Sequence, residues 1–209
     1  MSKQDQNIIV VERKILFNYE RENFQGFRDN KEFDYENIIL QNLKIMRRGD
    51  AEKDVNHKQP IAYTSIVNPA TRQIFAYQRA KQDKDYHEKR LLGKWSWGLG
   101  GHIEPFDNEK GNPIRESRLR ELEEEVKILG EIDKLEILGY INDDSNSVGQ
   151  VHFGILYVVE TRGNIIPKDS EIALGGFRRI GELNETCKNY DVENWSRIAL
   201  EPLKKYLED

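Results

Sequence analysis

The sequence lacks the features that mark most secreted and membrane-spanning proteins. It contains one cysteine, Cys187, so neither a disulfide framework nor a cysteine-based zinc site can form within one chain. It also lacks an apolar run of about 18 residues or more, which a membrane-spanning helix would need. The segment Met1–Asn7 is polar and unlike a secretory signal. We therefore expect a cytoplasmic protein that does not enter a membrane.

Basic residues are not in excess. The chain has 32 Lys and Arg against 37 Asp and Glu, which gives a formal net charge of −5. Proteins that wrap duplex nucleic acid usually present a basic footprint, so duplex nucleic acid is not expected as a partner. An anionic small substrate remains open, because a bound metal ion can supply positive charge locally.

Apolar residues suffice for a core, at 37% of the 209 residues. That length favours one domain with extra terminal elements. We predict an N-terminal extension over 1–59 and a main domain over 60–209. In the extension, apolar spacing predicts a strand over Asn7–Phe17, a helix over Asp34–Met46 and a loop over Arg47–Gln59.

The main domain shows both strand and helix patterns. Two hairpins are predicted, and their strands are Ile61–Val67 with Gln73–Arg79, and Leu135–Ile141 with Val148–Glu160. Apolar positions at a 3-4-3 spacing predict a helix over Ile114–Leu129, with Leu119, Leu122 and Val126 buried and Glu123 exposed. Residues Asn194–Leu207 are predicted as a final helix with Trp195, Ile198, Leu203 and Tyr206 buried. Residues Ile172–Leu183 are read as irregular. The sum is a sheet with helices packed on it, in the α/β or α+β class.

Three glutamates share one face of a predicted helix. Positions three and four apart lie on the same side of a helix, so Glu121 lies beside Glu124 and Glu125. Converging carboxylates repel one another, and a hard divalent cation such as Mg²⁺ or Mn²⁺ relieves that repulsion. A solvated acidic face is the alternative reading, because such faces are common.

A glycine-rich segment just upstream favours the metal site. Residues 97–105 read Trp-Gly-Leu-Gly-Gly-His-Ile-Glu-Pro, and glycines let the backbone approach a metal ion or a phosphate closely. The combination resembles the signature of the Nudix hydrolases: a glycine, an acid six positions later, and a helix carrying Arg-Glu-apolar-any-Glu-Glu. The matching residues are Gly101, Arg120, Glu121, Leu122, Glu124, Glu125 and Ile128.

The match departs from the signature at three points. Asp107 stands where the first glutamate belongs, and twelve residues rather than seven separate it from Arg120, which we read as a loop insertion at Asn108–Asn112. Lys127 replaces a late glycine, which should let the helix run to about Leu129 with Gly130 as its cap. None of these changes removes a carboxylate from the cluster.

The resemblance covers about residues 60–183 and implies a fold and an activity. The fold would be a Nudix-type α/β/α sandwich with a mixed β-sheet. Weaker similarity to a bacterial subgroup with an added N-terminal segment rests on residues 24–27, 58–61, the Gly-Gly-His-Ile run and Trp195-Ser196. Members of the family cleave a diphosphate linkage in substrates written nucleoside diphosphate–X, with metal ions that neutralise phosphate oxygens and activate water for attack on phosphorus.

The resemblance also implies roles for individual residues. The metal ligands would be Glu121, Glu124, Glu125 and the carbonyl of Gly101, with Arg120 orienting the carboxylates. The general base varies in this family. It would be one of the helix glutamates or an acid from a later loop, where Glu171 is the candidate.

Two further residues are candidates for substrate contact. Arg79 ends a predicted strand where Nudix proteins often place a basic residue near phosphate, and His102 follows Gly101 directly. Each could equally serve the structure. Trp95 and Trp97 could stack on a base, but core packing is the favoured reading for both.

Two other functions remain open. One is a Nudix-fold nucleotide-binding or regulatory module without turnover, which should have lost acidic helix residues that this chain keeps. The other is a diphosphate isomerase, which needs a cysteine near the glycine segment, whereas Cys187 is distant in sequence. A homodimer is also left open, since the apolar stripes of the extension must pack on the main domain or on a second subunit.

Overall fold

The computed structural model describes residues 3–80, 91–168 and 172–208. Its strands are β1 (Asn7–Glu12), β2 (Gly26–Asp29), β3 (Lys44–Arg47), β4 (His57–Asn68), β5 (Gln73–Arg79), β6 (Trp95–Ser96), β7 (Val126–Leu129), β8 (Ile132–Asn142), β9 (His152–Thr161), β10 (Asn164–Pro167) and β11 (Ile172–Arg179). Its α-helices are α1 (Arg13–Leu16), α2 (Tyr35–Gln41), α3 (Arg48–Ala51), α4 (Pro113–Glu125), α5 (Ile180–Asn189) and α6 (Asn194–Glu208). This content confirms the predicted α+β class.

Hydrogen bonding joins nine of these strands into one sheet. Six follow the order β11-β5-β4-β9-β8-β2, while β1 pairs with β3 and β4, and β6 pairs with β5. The antiparallel β4–β5 pair and the neighbouring strands β8 and β9 confirm both predicted hairpins. Within the described part of the chain, no helix is long and apolar enough to cross a membrane.

The chain divides into two units. The first unit comprises Met1–Tyr63, Gly100–Arg120 and Ile137–Leu156, and the second comprises Thr64–Leu99, Glu121–Glu136 and Tyr157–Asp209. The predicted boundary between an extension and a main domain at residue 59 stays a prediction.

The core of the first unit forms around β1. Its four central residues, Ile8 to Val11, are each at most 2% exposed. Strand β1 is antiparallel to β3 and, at its end, to β4. The aromatic rings of Phe17, Tyr35 and Phe153 meet nearby at centroid distances of 5.3–6.1 Å. Burying such rings is among the largest contributions a side chain makes to a core.

The core of the second unit is built on strand residues and on the apolar side of α4. Leu122 and Val126 are buried and pack in a cluster with Phe75, Tyr77 and other apolar residues. Glu123 is exposed. These positions confirm the predicted burial of Leu122 and Val126 and the predicted exposure of Glu123, whereas Leu119 is only half-buried.

The predicted elements of the N-terminal segment were wrong in extent. The strand predicted over Asn7–Phe17 ends at Glu12, and α1 follows. The helix predicted over Asp34–Met46 stops at Gln41, because Lys44–Arg47 forms β3 and pairs with β1. The predicted loop Arg47–Gln59 contains α3 and the start of β4.

The helix predicted over Ile114–Leu129 was also too long. Helix α4 ends at Glu125, and the chain continues as β7, which pairs with β10 in the second unit. Backbone pairing with β10 satisfies the carbonyl and amide groups that a longer helix would have bonded internally. The expected cap at Gly130 is therefore not one for this helix.

The C-terminal part differs from prediction in one element and agrees in another. Residues predicted as irregular form β11 and the beginning of α5. The final helix is confirmed over Asn194–Glu208. Its buried stripe is Ser196, Ala199, Leu200, Leu203 and Leu207. Of the four residues predicted to be buried, Leu203 is, and Trp195, Ile198 and Tyr206 are half-buried.

Candidate active site and polar clusters

The glycine segment makes a close backbone contact within the first unit. Gly100 has a φ of 151°, and a Cβ added there would lie 2.3 Å from the carbonyl oxygen of Ala62. Only glycine fits at that spacing. The next residues continue in extended form, and His102 bridges to Ile61 in antiparallel fashion. The contact fixes where Gly101 and His102 lie relative to β4.

An ion pair connects the middle of α4 to this segment. Arg120 donates to the carboxylate of Asp107 at 3.1 and 3.3 Å and to the backbone carbonyl of His102 at 3.0 Å. Asp107 is 1% exposed and also accepts from the backbone amide of Glu104 at 2.9 Å. Asp107 thus supports the glycine segment through Arg120.

His102 belongs to a polar cluster in the first unit. Its Nε2 lies 2.7 Å from Gln59 Oε1 and 3.3 Å from His152 Nε2. Glu52 Oε1 lies 3.8 Å from His102 Nε2 and 3.9 Å from His152 Nε2. Burial, and then the positive charge of Arg48, hold the pKa of His102 well below its usual range, so its ring is neutral at pH 7.

A second buried polar group supports His152. The ammonium of Lys58, fully buried, donates to Asp144 at 2.7 Å, to the Gly149 carbonyl at 2.7 Å and to the His152 carbonyl at 3.2 Å. Arg13 adds a hydrogen bond to Asp144 at 2.7 Å. Burial lowers the pKa of Lys58 to about 8, although the Asp144 carboxylate opposes that shift.

The three glutamates of the signature lie at the C-terminal end of α4. Glu121 and Glu125 are half-buried and Glu124 is exposed. The backbone amide of Lys168 donates to the Glu125 carbonyl at 2.8 Å where the helix ends. Since the helix includes all three positions, they occupy one side of it while Leu122 faces the core of the second unit.

Arg79 takes part in a buried network of the second unit. Its Nε donates to Glu193 at 2.5 Å, and Glu193 also accepts from the Ser96 hydroxyl at 3.0 Å. The Ser196 hydroxyl accepts from the Trp97 amide at 3.1 Å. Trp95 and Trp97 are 9% and 1% exposed, which agrees with their reading as core residues.

Sequence reasoning missed several of these residues. Glu52 and Gln59 fell in a predicted loop, and nothing in the sequence relates them to His152 about a hundred positions later. Glu193 carried no motif. Glu171, the candidate base, lies outside the described residues.

The chain is similar to a protein of known sequence and to several solved structures. No family model matches it. Protein YmaB of Bacillus subtilis (strain 168) is 35% identical over 212 residues, which covers 98% of this chain and all of YmaB. The crystal structure of Tm1382, a candidate Nudix hydrolase, superposes with a TM-score of 0.74 at 26% identity and covers 96% of this chain and 99% of its own. The NUDIX domain of Shewanella oneidensis NrtR shares the fold, with a TM-score of 0.54 and 13% identity over 72% of this chain and 88% of its own.

Sequence motif and whole-chain similarity therefore agree. The similarity to YmaB and to Tm1382 extends over nearly the full length, and the three glutamates of the signature, Glu121, Glu124 and Glu125, lie on one helix as that signature requires. The chain belongs to the Nudix hydrolases, enzymes that cleave diphosphate linkages, and it is similar to YmaB over nearly its full length.

Proposed function

We propose that the protein is a Mg²⁺- or Mn²⁺-dependent pyrophosphohydrolase that cleaves a nucleoside diphosphate–X substrate by attack of water on phosphorus. The observation that carries the proposal is the acidic C-terminal end of α4, where Glu121, Glu124 and Glu125 share one side of a helix whose other side packs in a core. Such a helix holds carboxylates at fixed positions, which a metal site requires.

The donor set of these residues fits magnesium. Carboxylate oxygens are hard ligands, and Mg²⁺ commonly binds through few of them, together with water and substrate phosphates. When bound, the ion would neutralise phosphate oxygens and activate water. The assignment of the Gly101 carbonyl as a further ligand rests on the sequence motif alone.

The remaining roles follow from what each side chain touches. Arg120 donates to Asp107 and to the His102 carbonyl, so we assign it the positioning of the glycine segment, in addition to the orientation of the helix carboxylates that the signature implies. A glutamate of α4 or Glu171 would accept the proton of the attacking water. Arg79 and His102 stay proposed substrate contacts, and each would have to exchange a present partner for phosphate.

The substrate class is a nucleotide-like diphosphate small molecule. The NUDIX domain of NrtR was solved in complex with ADP ribose, which makes ADP-ribose one member of the set to test. The loops that bind the X group vary among Nudix proteins, so the fold alone does not select among such substrates.

A substrate panel tests the proposal. The full chain is incubated with nucleoside triphosphates, dinucleoside polyphosphates, nucleotide sugars or ADP-ribose, each with Mg²⁺, Mn²⁺ or a chelator. We expect metal-dependent release of phosphate or of a nucleoside monophosphate from at least one class. In water enriched in ¹⁸O, the label should appear in a phosphate product.

Two variants of the same helix sharpen the result. Glu125→Gln should lower turnover on the order of a hundredfold, because charge stabilisation in the transition state is lost. Glu123→Gln, an exposed neighbour, is the matched control and should keep wild-type turnover. Hydrolysis that persists in chelator, or equal activity in both variants, would contradict the proposal.

A further inference from the structure

We propose that Glu52, His102 and His152 form a binding site for a transition-metal ion of the zinc class. The site lies within the first unit and shares no side chain with the proposed magnesium ligands on α4. It gives His102 the role of a metal ligand in place of the direct substrate contact proposed above. Among the residues the structure describes, these form the one group of three or more His, Cys, Asp or Glu side chains whose ligand atoms lie within 4.8 Å of one another.

The spacing of the three ligand atoms fits such an ion. The histidine Nε2 atoms are 3.3 Å apart, and Glu52 Oε1 is 3.8 and 3.9 Å from them. A point equidistant from the three atoms is about 2.1 Å from each, by the geometry of that triangle. Zinc binds imidazole nitrogen and carboxylate oxygen at about 2.0–2.2 Å, and two histidines with one glutamate are a known zinc ligand set that leaves a position for water.

The protonation state of His152 also suits a ligand. Its Nδ1 lies 2.7 Å from the carbonyl oxygen of Val148. A carbonyl only accepts, so Nδ1 carries the proton and Nε2 presents its lone pair to the cluster. Metal-binding histidines commonly fix their other nitrogen in this way.

The ligands are held by rigid neighbours. Lys58 donates to the backbone carbonyl of His152, and Arg120 donates to that of His102. Gln59 is fully buried, with its side-chain oxygen 2.7 Å from His102 Nε2, while its Nε2 has no hydrogen-bond partner. Because an amide oxygen only accepts, His102 carries its proton on Nε2 in this arrangement. Metal binding would move that proton to Nδ1 and free the Nε2 lone pair for the ion.

One neighbour opposes a cation. Arg48 Nε lies 3.8 Å from Glu52 Oε1, so its charge repels an ion bound there. Because two of the three ligands are nitrogens, the cluster should discriminate strongly against Mg²⁺, which prefers oxygen, and favour Zn²⁺, Co²⁺ or Ni²⁺. The competing account is a hydrogen-bonded histidine pair that binds no metal.

Titration of the metal-stripped full chain separates these accounts. We expect about one Zn²⁺ per chain by isothermal titration calorimetry, undisturbed by excess Mg²⁺, and a rise in melting temperature with Zn²⁺. Co²⁺ in place of Zn²⁺ should give the visible bands of a low-coordinate nitrogen and oxygen site. Absence of Zn²⁺ binding, or its removal by excess Mg²⁺, overturns the proposal.

Three variants locate the bound ion. Glu52→Gln and His152→Gln should each weaken Zn²⁺ binding at least tenfold and abolish the Co²⁺ bands. His57→Gln removes a histidine of the same unit that bonds Asp54 instead, and it should bind as the wild type does. If His152→Gln fails to fold, Glu52→Gln decides alone, since Glu52 is only partly buried. Unchanged Zn²⁺ affinity in folded Glu52→Gln overturns the proposal.

Discussion

At the scale of single residues, substitution of Glu124 distinguishes two roles for this glutamate, that of a metal ligand and that of a solvated surface acid. It is the exposed member of the three α4 glutamates. Glu124→Gln removes one charge and keeps the shape, so the metal-free protein should be as stable as the wild type or more so. Mg²⁺ should then raise the melting temperature less than in the wild type, because stabilisation by a ligand follows its affinity for the folded state. Hydrolysis should fall on the order of a hundredfold.

Thermal melts with and without Mg²⁺, run beside the activity assay, measure both effects. Glu123→Gln is again the control on the same helix. Full activity in Glu124→Gln would remove Glu124 from the metal site.

Asp144 makes stability depend on pH. Burial alone would raise the pKa of its carboxyl, but hydrogen bonds from Arg13 and Lys58 lower it from 3.8 to about 2. The ionised form is therefore favoured by folding. Its contribution is complete above about pH 4 and is lost as the pH falls through about 2.

We expect Asp144→Asn to lower the free energy of unfolding at pH 7 by about 3 kcal/mol, because Lys58 keeps its buried charge without a counterion. Urea unfolding at pH 7, 4 and 2.5 should show the gap between variant and wild type narrowing toward the lowest pH. Asp133→Asn breaks an exposed pair with Arg162 and should change little at any of these values. A gap that stays constant with pH would contradict the role assigned to the Asp144 carboxylate.

At the scale of secondary-structure elements, β1 offers a matched pair of isoleucines. Ile9 on β1 faces Ile45 on β3 in the same register, yet Ile9 is 2% exposed and Ile45 is 63% exposed. Ile9→Ala should cost about 2–5 kcal/mol of unfolding free energy, through lost burial and a residual cavity. Ile45→Ala should cost less than about 0.5 kcal/mol. Chemical denaturation compares the two, and similar losses would mean that β1 is not a core strand.

Some helices and strands could be predicted from the sequence and others could not. The acidic helix was found because Leu122 and Val126 repeat at helical spacing. Its end was missed because residues 126–129 also fit that spacing, while their burial alternates as in a strand. β3 was missed for a similar reason, since Met46 completed an apparent helical stripe. A short apolar run does not distinguish the two periods.

Strand β11 was not predicted, because it contains two glycines. Gly175 lies against the ring of Phe75, where an added Cβ would come within 2.9 Å, so the glycine serves close packing. In a sequence the same residue predicts a turn. Likewise the acids of the signature could be identified because they lie close together in the sequence. The Glu52–His102–His152 cluster could not, because it depends on contacts between segments that are distant in the sequence.

At the scale of the whole molecule, net charge bears on partners. With a charge of −5, the chain should bind duplex DNA more weakly than about 10⁻⁴ M at physiological salt, the weak end of ordinary non-specific binding. Fluorescence anisotropy of a labelled duplex measures this. Tight binding would require a local basic surface that outweighs the overall charge.

The burial of Lys58 has a consequence for chemical modification. An amine-reactive reagent needs a solvent-exposed, uncharged amine, and the side chain of Lys58 is fully buried and bonded to three oxygens. Lys53, five residues earlier, is exposed. In the native protein Lys53 should therefore acquire an acetyl group quickly, while Lys58 acquires one only when this part of the chain opens. The ratio of the two labels, read by mass spectrometry, then reports how often the interior of the first unit is transiently exposed.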